Sequence, residues 1–516
     1  MFKNLNQKQL ISRTASFFGD KPAFVYEGKS ISFAQVNERA NKAANALQKL
    51  GILNGDRVAT LLGNCLEYPE IEFALIKGAF PQLVLSTRLK EEEIAFQIND
   101  AEATVIIFQN SFSNIIEEIS EKIKTVKYFI CIGPDEQRWL DYESLLLSAS
   151  PTEPDTELNL DKLGELRYTS GTTGAPKGIM LPYKSRLMVI QNLLIDFIPD
   201  LTSEDKWLAV QPLYHGAGWF ILPVWVKGIT QYIIDKFDAQ KVVSFVEKEK
   251  ITAIKTIPTL LLRILGLDNL KSYNFDSVKT IIYGGSPMPI YKLKEAMGIF
   301  GNVFIQLYGQ TEAPMTICVL RKEDHSNEKY LGSVGRPCTL VQVKIVDKEG
   351  EEVPVGEMGE VTVKGEHLMT GYLNRDEATA EALHNGWLRT GDLGKMDQNG
   401  YIYLGGGRKG DMIVSGGLNI YPDEVEQIIY RHPAVLEACV FGVPDEIWGE
   451  AVKAGVVLKK GQKVSPEQLK KHMQEFVDGY KIPKGIYFMK QLPKNAAGKI
   501  QRRELQKWYK KGDFTG

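Results

Sequence analysis

Short apolar runs alternate with stretches of helical spacing through the first half of the chain. Residues 23–26, followed by Gly28 and Ile31, have the pattern of a hairpin. Ser32-Phe-Ala-Gln35 has the spacing of a capping box and opens a helix predicted to run to about Leu50, with Gly51 just beyond its end. Residues 57–62 and 104–108 read as strands, and 70–78 as a helix between them. Similar apolar strands recur at 280–283 and 303–307, and each ends in a glycine-containing loop. This β/α alternation predicts mostly parallel sheets with covered faces, in which ligands sit beyond the carboxyl ends of the strands.

The period changes after about residue 340. Short alternating segments at 341–346, 360–364 and 401–404 predict a small β-subdomain. Four glycines in the six residues 405–410 then mark a junction expected to be flexible. Beyond it Pro422 opens a helix, 438–441 and 454–458 have strand patterns, and Ser465-Pro-Glu-Gln468 caps a further helix. The expected fold is α/β plus α+β. A large N-terminal domain, residues 1–409, holds mostly parallel sheets, helices and the β-subdomain. A small, mobile C-terminal α+β domain, residues 410–516, follows it.

Composition narrows the setting. At 516 residues, 44% hydrophobic and 24% charged, the chain has the balance of a soluble protein with more than one domain. A net charge of −2 gives no global field for nucleic acid. Cys65, Cys131, Cys318, Cys338 and Cys439 are widely spaced, which argues against a disulfide framework or a zinc site and predicts a reducing, cytoplasmic location. The first residues lack the apolar segment of a signal peptide, and the longest apolar patch, 219–226, is too short to cross a bilayer. Charge is uneven near the end: residues 481–511 carry ten Lys and Arg against one acid, Glu504. That tract reads either as a solvated basic face or as a basic lid over phosphates.

The densest chemistry lies at Tyr168-Thr-Ser-Gly-Thr-Thr-Gly-Ala-Pro-Lys-Gly178. Gly171, Gly174 and Gly178 let the backbone approach a ligand, Thr169, Ser170, Thr172 and Thr173 add hydroxyl donors, and Lys177 adds a cation. Such a loop suits a polyphosphate, although the Walker A spacing is absent. Tyr308-Gly-Gln-Thr-Glu312 follows an apolar strand and sets an aromatic, a hydroxyl and a carboxylate within five residues. One carboxylate beside phosphate oxygens is a common Mg²⁺ arrangement. Gly284 and Gly285, before Ser286, permit close approach of a ligand, and Asp392 is the one acid in an apolar, glycine-containing stretch. His215 is followed by the small residues Gly216 and Ala217, as if to leave room for a substrate. Lys499, in the basic tract, supplies a cation able to stabilise a crowded anionic transition state.

Taken together, these motifs resemble, in order and spacing over essentially the whole chain, the adenylate-forming superfamily of acyl-CoA synthetases, peptide-synthetase adenylation domains and firefly-type luciferases. The resemblance implies roles residue by residue. Residues 169–174 and Lys177 would hold the ATP phosphates, with Thr172 also taking part in catalysis. Tyr308 and Gly309 would lie against adenine, with Gly284, Gly285 and Ser286 beside them. Thr311 would touch the α-phosphate, Glu312 would hold Mg²⁺, and Asp392 and Arg408 would bind ribose. Lys499 would catalyse adenylation, Gly410 would be the hinge, and Ser415, Gly416 and Gly417 would serve CoA.

In acyl-CoA synthetases the residue matching His215 flanks the substrate carboxylate. Amino-acid-activating relatives carry Asp where this chain has Gly216, so the substrate is expected to be an uncharged acyl or aryl acid rather than an amino acid. Trp219, Leu307 and Met315 are expected to line an apolar acyl pocket, together with Phe220, Ile257 and Pro314. The implied reaction is ATP-dependent conversion of a medium- or long-chain fatty acid to acyl-AMP and then acyl-CoA, with an aryl acid or a carrier-protein acceptor as alternatives. The implied partners are the acid, ATP, Mg²⁺ and CoA, with no nucleic acid and no integral membrane segment; a homodimer is compatible with this. Departures from the family pattern are Gly410 in place of a hinge Lys or Asp, Leu418 in place of Glu, and a proline-poor segment at 78–88.

Overall fold

The capping box at Ser32 is complete. The Ser32 hydroxyl accepts from the Gln35 N–H at 3.2 Å, and Gln35 Oε1 accepts from the Ser32 N–H at 2.9 Å. It opens the helix Phe33–Lys49, whose apolar face packs on the helix Glu67–Lys77. The computed structural model describes residues 6–134, 138–169, 176–408, 412–416, 418–477, 479–495 and 498–512. Among the described residues the five cysteines are buried free thiols, and no helix is long and apolar enough to cross a membrane.

Two large sheets carry the N-terminal region. An eight-stranded sheet runs in the order Gly371–Tyr372, Lys177–Pro182, Leu163–Thr169, Gln82–Val84, Val58–Leu61, Val105–Gln109, Tyr128–Ile132 and Leu140–Asp141. It is parallel from Leu163–Thr169 onward. A nine-stranded sheet places Phe304–Tyr308, Thr280–Gly284, Ala253–Lys255, Lys206–Ala209, Thr230–Ile233 and Pro22–Tyr26 side by side and parallel. Its antiparallel strands lie at the two edges. A core cluster packed around Trp225, whose ring lies 4.4 Å from Phe33 and 4.9 Å from Phe73, fills the space beside the two helices.

The helix Glu67–Lys77 is buried from Tyr68 to Lys77, so its charged side chains must find partners inside the protein. Glu70 accepts two hydrogen bonds from Arg39, at 2.6 and 2.9 Å, and one from the Tyr142 hydroxyl at 2.9 Å. Lys77 pairs with Glu153 at 2.6 Å. Glu72 pairs with Arg186, which also holds Glu165, and Glu165 in turn takes Arg167. Burial pushes the Glu72 carboxyl up to about 7 against the pull of Arg186. For Glu165, two guanidinium partners outweigh burial and hold it below its ordinary value.

A third, antiparallel sheet joins Gln342–Val346, Gly359–Lys364, Trp387–Met396, Leu383–His384 and Ile402–Arg408. Here the structure corrects the sequence reading. Gly405 to Arg408 continue the strand Ile402–Arg408, with Arg408 opposite Asp392, so the glycine run is pleated backbone up to that point. Glycine composition resembles a linker, but cross-strand hydrogen bonds ask nothing of a side chain. The proposed hinge Gly410 lies outside the described residues.

The C-terminal region has its own sheet, built on the long hairpin Val435–Asp445 and Gly449–Leu458, with Ile413–Ser415, Leu418–Ile420 and Gly485–Phe488 beside it. Its helix Pro422–Ile429 buries Val425 and Ile429 in one cluster with Leu261, Leu262 and Leu265 of the helix Pro258–Leu265.

Replacing Arg186 with Met takes from Glu72 its ion-pair partner and leaves Glu165 with Arg167 alone. Breaking such a buried pair costs about 3–5 kcal/mol. Arg186→Met should therefore lower the urea midpoint of the N-terminal transition clearly, and an unchanged midpoint would show that the network is not stabilising.

Candidate nucleotide and acyl site

Four adjacent parallel strands end at one edge of the nine-stranded sheet, and many of the sequence-predicted residues lie at or just beyond their carboxyl ends. Phe304–Tyr308 delivers Tyr308 and Gly309. Thr280–Gly284 delivers Gly284, Gly285 and Ser286. Ala253–Lys255 delivers Lys255, and Lys206–Ala209 leads into the segment from Gln211 to Trp219.

Tyr308 is buried, and its hydroxyl donates to Asp392 Oδ2 at 2.7 Å. Gln310 Nε2 donates to the same oxygen at 2.8 Å and to the Thr390 carbonyl at 2.8 Å. Asp392, which lies on the strand Trp387–Met396, is thereby fixed beside Tyr308. Gly309 is required by packing, since a Cβ there would lie 2.6 Å from the Met315 N atom. That close approach folds the 309–315 segment back, with the Gln310 N–H on the Ala313 carbonyl at 3.0 Å, and brings Thr311 and Glu312 to the strand end. Gly284 has a positive φ, and a Cβ there would strike the Leu307 carbonyl.

The strands that flank the glycine- and hydroxyl-rich stretch are antiparallel. Thr169 pairs with Lys177 across the strands Leu163–Thr169 and Lys177–Pro182. Ser170, Gly171, Thr172, Thr173 and Gly174 lie outside the described residues. Tyr372 links this strand pair to the 308–312 segment: Lys177 Nζ sits 5.0 Å from the Tyr372 ring centre, and the Tyr372 hydroxyl donates to Glu312 Oε1 at 3.1 Å. The loop cation and the predicted metal carboxylate thus flank one aromatic ring. Sequence reasoning did not single out Tyr372 or Gln310; the aromatic after Gly371 in a polar stretch was the available signal for the first.

The other end of the edge is cationic. His215 is driven down to about 3 by burial and by Arg167, Lys255 and Arg88, so it is a neutral imidazole at physiological pH. Lys255 is buried, and its ammonium donates to Gln211 Oε1. A Cβ on Gly216 would lie 2.8 Å from Lys255 Nζ and 3.8 Å from Met315 Cε, so these three residues share one space. Trp219 is buried in the core, its ring 5.2 Å from the Arg167 guanidinium carbon and 5.3 Å from that of Arg186. Phe220 is fully buried and stacked on Trp207.

The loop that carries Lys499 reaches this edge from the C-terminal region. Asn495 and Lys499 close it through two backbone-directed bonds at 2.9 Å each. The Thr259 hydroxyl donates to the Gly498 carbonyl at 3.2 Å, and Arg88 donates to the Asn495 carbonyl at 3.3 Å. A Cβ on Gly498 would lie 3.1 Å from Ile257 Cδ1. The loop is therefore docked at the end of the Ala253–Lys255 strand. The Ser415 hairpin instead makes contacts in its own region: the Gly416 N–H donates to the Trp448 carbonyl at 2.8 Å, and the Val414 N–H to Glu450 at 2.7 Å. Gly417 lies outside the described residues.

Residues 11–373 match the model of the AMP-binding enzyme family, and residues 424–499 match that of the AMP-binding enzyme C-terminal domain. The chain belongs to the AMP-binding enzyme family. It is similar to a feruloyl-CoA synthase of Amycolatopsis sp, 35% identical over 93% of this chain and 94% of that one. It is also similar to a long-chain-fatty-acid–CoA ligase of Bacillus subtilis (strain 168), 32% identical over 97% and 94% of the two chains. The solved structure of the anthranilate CoA ligase AuaEII in complex with anthranoyl-AMP superposes with a TM-score of 0.92 at 28% identity, covering 99% of this chain and 98% of that one. This AMP-binding enzyme is an AMP-forming acid–CoA ligase, with ATP and CoA as co-substrates.

In this member of the AMP-binding enzyme family the basic C-terminal tract is partly spent on internal pairs. Lys494 holds Glu437 at 2.6 Å, Arg502 holds Asp423 and Glu426 at 2.9 Å each, and Lys481 holds Glu424 at 2.8 Å.

The neutral state of His215 has a measurable consequence. Between pH 6.5 and 3 the unfolded chain binds a proton at His215 that the native enzyme does not, so native stability falls as pH falls through that window. His215→Gln lacks this loss. Urea midpoints measured from pH 7 to pH 5 should drop further for the wild type than for the variant, whereas parallel curves would place the histidine in a solvated, protonatable state.

Proposed function

We propose that this enzyme activates an aryl acid in two steps at one site. The acid carboxylate attacks the α-phosphorus of ATP, an acyl-AMP forms and pyrophosphate leaves. The thiolate of CoA then attacks the acyl carbonyl, giving the thioester and AMP. Splitting one acyl transfer into two displacements replaces a poor leaving group by a good one before the thiol arrives. The similarity to a feruloyl-CoA synthase and to an anthranilate CoA ligase supports an aryl substrate. A fatty acid is the second reading, supported by the long-chain-fatty-acid–CoA ligase relative.

The observation that carries the assignment of roles is the docked Lys499 loop, held on the carboxyl end of the Ala253–Lys255 strand by Thr259, Ile257 and Arg88. That position lies between the Tyr308 end and the His215 end of the edge, where the acid carboxylate and the α-phosphate must meet. Lys499 neutralises the charge that accumulates on acyl and phosphate oxygens as the new bond forms. Asp392, oriented by Tyr308 and Gln310, accepts the ribose hydroxyls, with Arg408 across the strand pair. Thr311 contacts the α-phosphate. Residues 169–174 with Lys177 grip the departing pyrophosphate. Neutral His215 forms a wall of the acyl site.

Among the described residues no three His, Cys, Asp or Glu side chains cluster to hold a metal by themselves. A single carboxylate, Glu312, held by Tyr372 on the side of Lys177, does fit Mg²⁺, which ordinarily takes one or two protein carboxylates and completes its shell with phosphate oxygens and water. When bound, the ion supplies charge neutralisation on the phosphates.

For the thioester step the C-terminal domain, from about residue 410, turns about 409–411. The turn exchanges the Lys499 loop for the Ser415–Gly417 segment; in the present arrangement Val414 and Gly416 bond within their own domain.

Lys499→Ala should slow acid-dependent pyrophosphate release by about 100-fold or more, the scale of losing one transition-state donor. The same variant should form thioester from preformed acyl-AMP and CoA at near wild-type rate. Intact pyrophosphate release would remove Lys499 from the first step, and equal loss of both steps would make it a structural residue.

A further inference from the structure

We propose that Lys255 selects the acid by recognising a second oxygen on it, an anionic or hydrogen-bond-accepting group at the end remote from the carboxylate that is adenylated. This rests on the reading of the enzyme as an aryl acid–CoA ligase.

A lysine in this strand needs a reason. The segment Ile251-Thr-Ala-Ile-Lys-Thr-Ile257 is otherwise apolar or hydroxyl-bearing, and its strand lies in the interior of the nine-stranded sheet between Thr280–Gly284 and Lys206–Ala209. Lys255 is 3% exposed. An ammonium has three donors, and among the described residues this one has a single acceptor, the neutral amide oxygen of Gln211, and no carboxylate partner. The contrast with the rest of the interior is direct. Buried Lys77 has Glu153, and buried Arg186 has Glu72 and Glu165. Leaving a buried cation without a counter-charge is costly, and burial alone pulls the Lys255 ammonium down to about 7.

Geometry says where the missing counter-charge belongs. Lys255 Nζ lies 2.8 Å from the position of a Cβ on Gly216, and Met315 Cε lies 3.8 Å from the same position. This is the acyl end of the strand edge, next to His215. Counting two strand spacings of about 4.8 Å, the Lys255 strand is about 10 Å from the strand of Tyr308. With the nucleotide at the Tyr308 end and the Lys499 loop over the middle of the edge, the part of the acid beyond its carboxylate extends toward the His215 end, where Gly216, Met315 and the Lys255 ammonium share one space. Arg167 and Arg88 add to a positive field there, as their effect on His215 records. A ring hydroxyl or a second carboxylate satisfies the ammonium, whereas an unsubstituted hydrocarbon end leaves it with Gln211 alone. Penalties for leaving a buried polar group unpaired exceed what an apolar pocket gains per methylene, so one lysine can dominate the choice.

Two variants test this. Lys255→Met removes the ammonium at similar length. Gly216→Ala adds a methyl group 2.8 Å from Nζ, which the flexible end of the lysine can yield to, so the fold is kept while the ammonium is displaced. The probes are matched pairs, 4-hydroxycinnamate against cinnamate and nonanedioate against nonanoate. Each is read as kcat/KM for pyrophosphate release and, independently of turnover, as the shift in thermal midpoint on adding the acid.

The wild type should favour the oxygenated member of at least one pair by about tenfold or more, and both variants should collapse that ratio. Preference for the plain member in both pairs, or an equal ratio in wild type and both variants, overturns the proposal while leaving the ligase reading intact. Midpoint shifts that depend on Lys255 without any pyrophosphate release would sustain the lysine's role and overturn the ligase reading. Neither release nor shift with any probe overturns both.

Discussion

The parallel hydrogen-bond register of four neighbouring strands fixes the rest of the site. Because Phe304–Tyr308, Thr280–Gly284, Ala253–Lys255 and Lys206–Ala209 run the same way in adjacent positions, their carboxyl ends arrive at one edge in a fixed order. Tyr308 and Asp392 stand at one end of that edge and His215 at the other, with Gly284, Gly285 and Lys255 between. The loop of Lys499 is docked near the middle of that edge, where the proposed function has nucleotide and acid meet. The helix Glu67–Lys77 helps to hold this arrangement, because it is buried nearly all round and lends Glu72 to the Arg186 network.

The interior also shows how charge has been managed. The network of Glu72, Glu165, Arg167 and Arg186 carries two charges of each sign, so it is balanced within itself. Glu70 and Lys77 have their own partners. Against that background Lys255, which has no carboxylate partner among the described residues, and Arg88 add positive charge around a neutral His215. Positive charge of this kind favours an anionic ligand over a cationic one.

Much of the fold was legible because it rests on local pattern. The Ser32 and Ser465 capping boxes are both complete, and the apolar strands that end in glycine do lie parallel in the sheets. Three features were not legible, each for a non-local reason. Gly405 to Arg408 read as a linker, yet they are held by pairing with the strand Trp387–Met396. Trp219 was expected in an apolar pocket, but Arg167 and Arg186 approach its ring from strands and helices far away in sequence. Lys255 gave a signal, a charge inside an apolar strand, but its meaning depends on Gly216 lying across from it. Of the candidate site, the motifs pointed to residues that the fold sets on strand ends, whereas nothing in them pointed to Tyr372 and Gln310, which tie those segments together.

The central claim is that acid and ATP react at this edge before CoA is involved, and that the acid is aromatic. Acid-dependent exchange of labelled pyrophosphate into ATP, measured without CoA for 4-hydroxycinnamate and for dodecanoate, addresses both parts at once. The account predicts exchange in the absence of CoA, faster with the aromatic acid. Exchange that appears only when CoA is added, or only with the fatty acid, would contradict it.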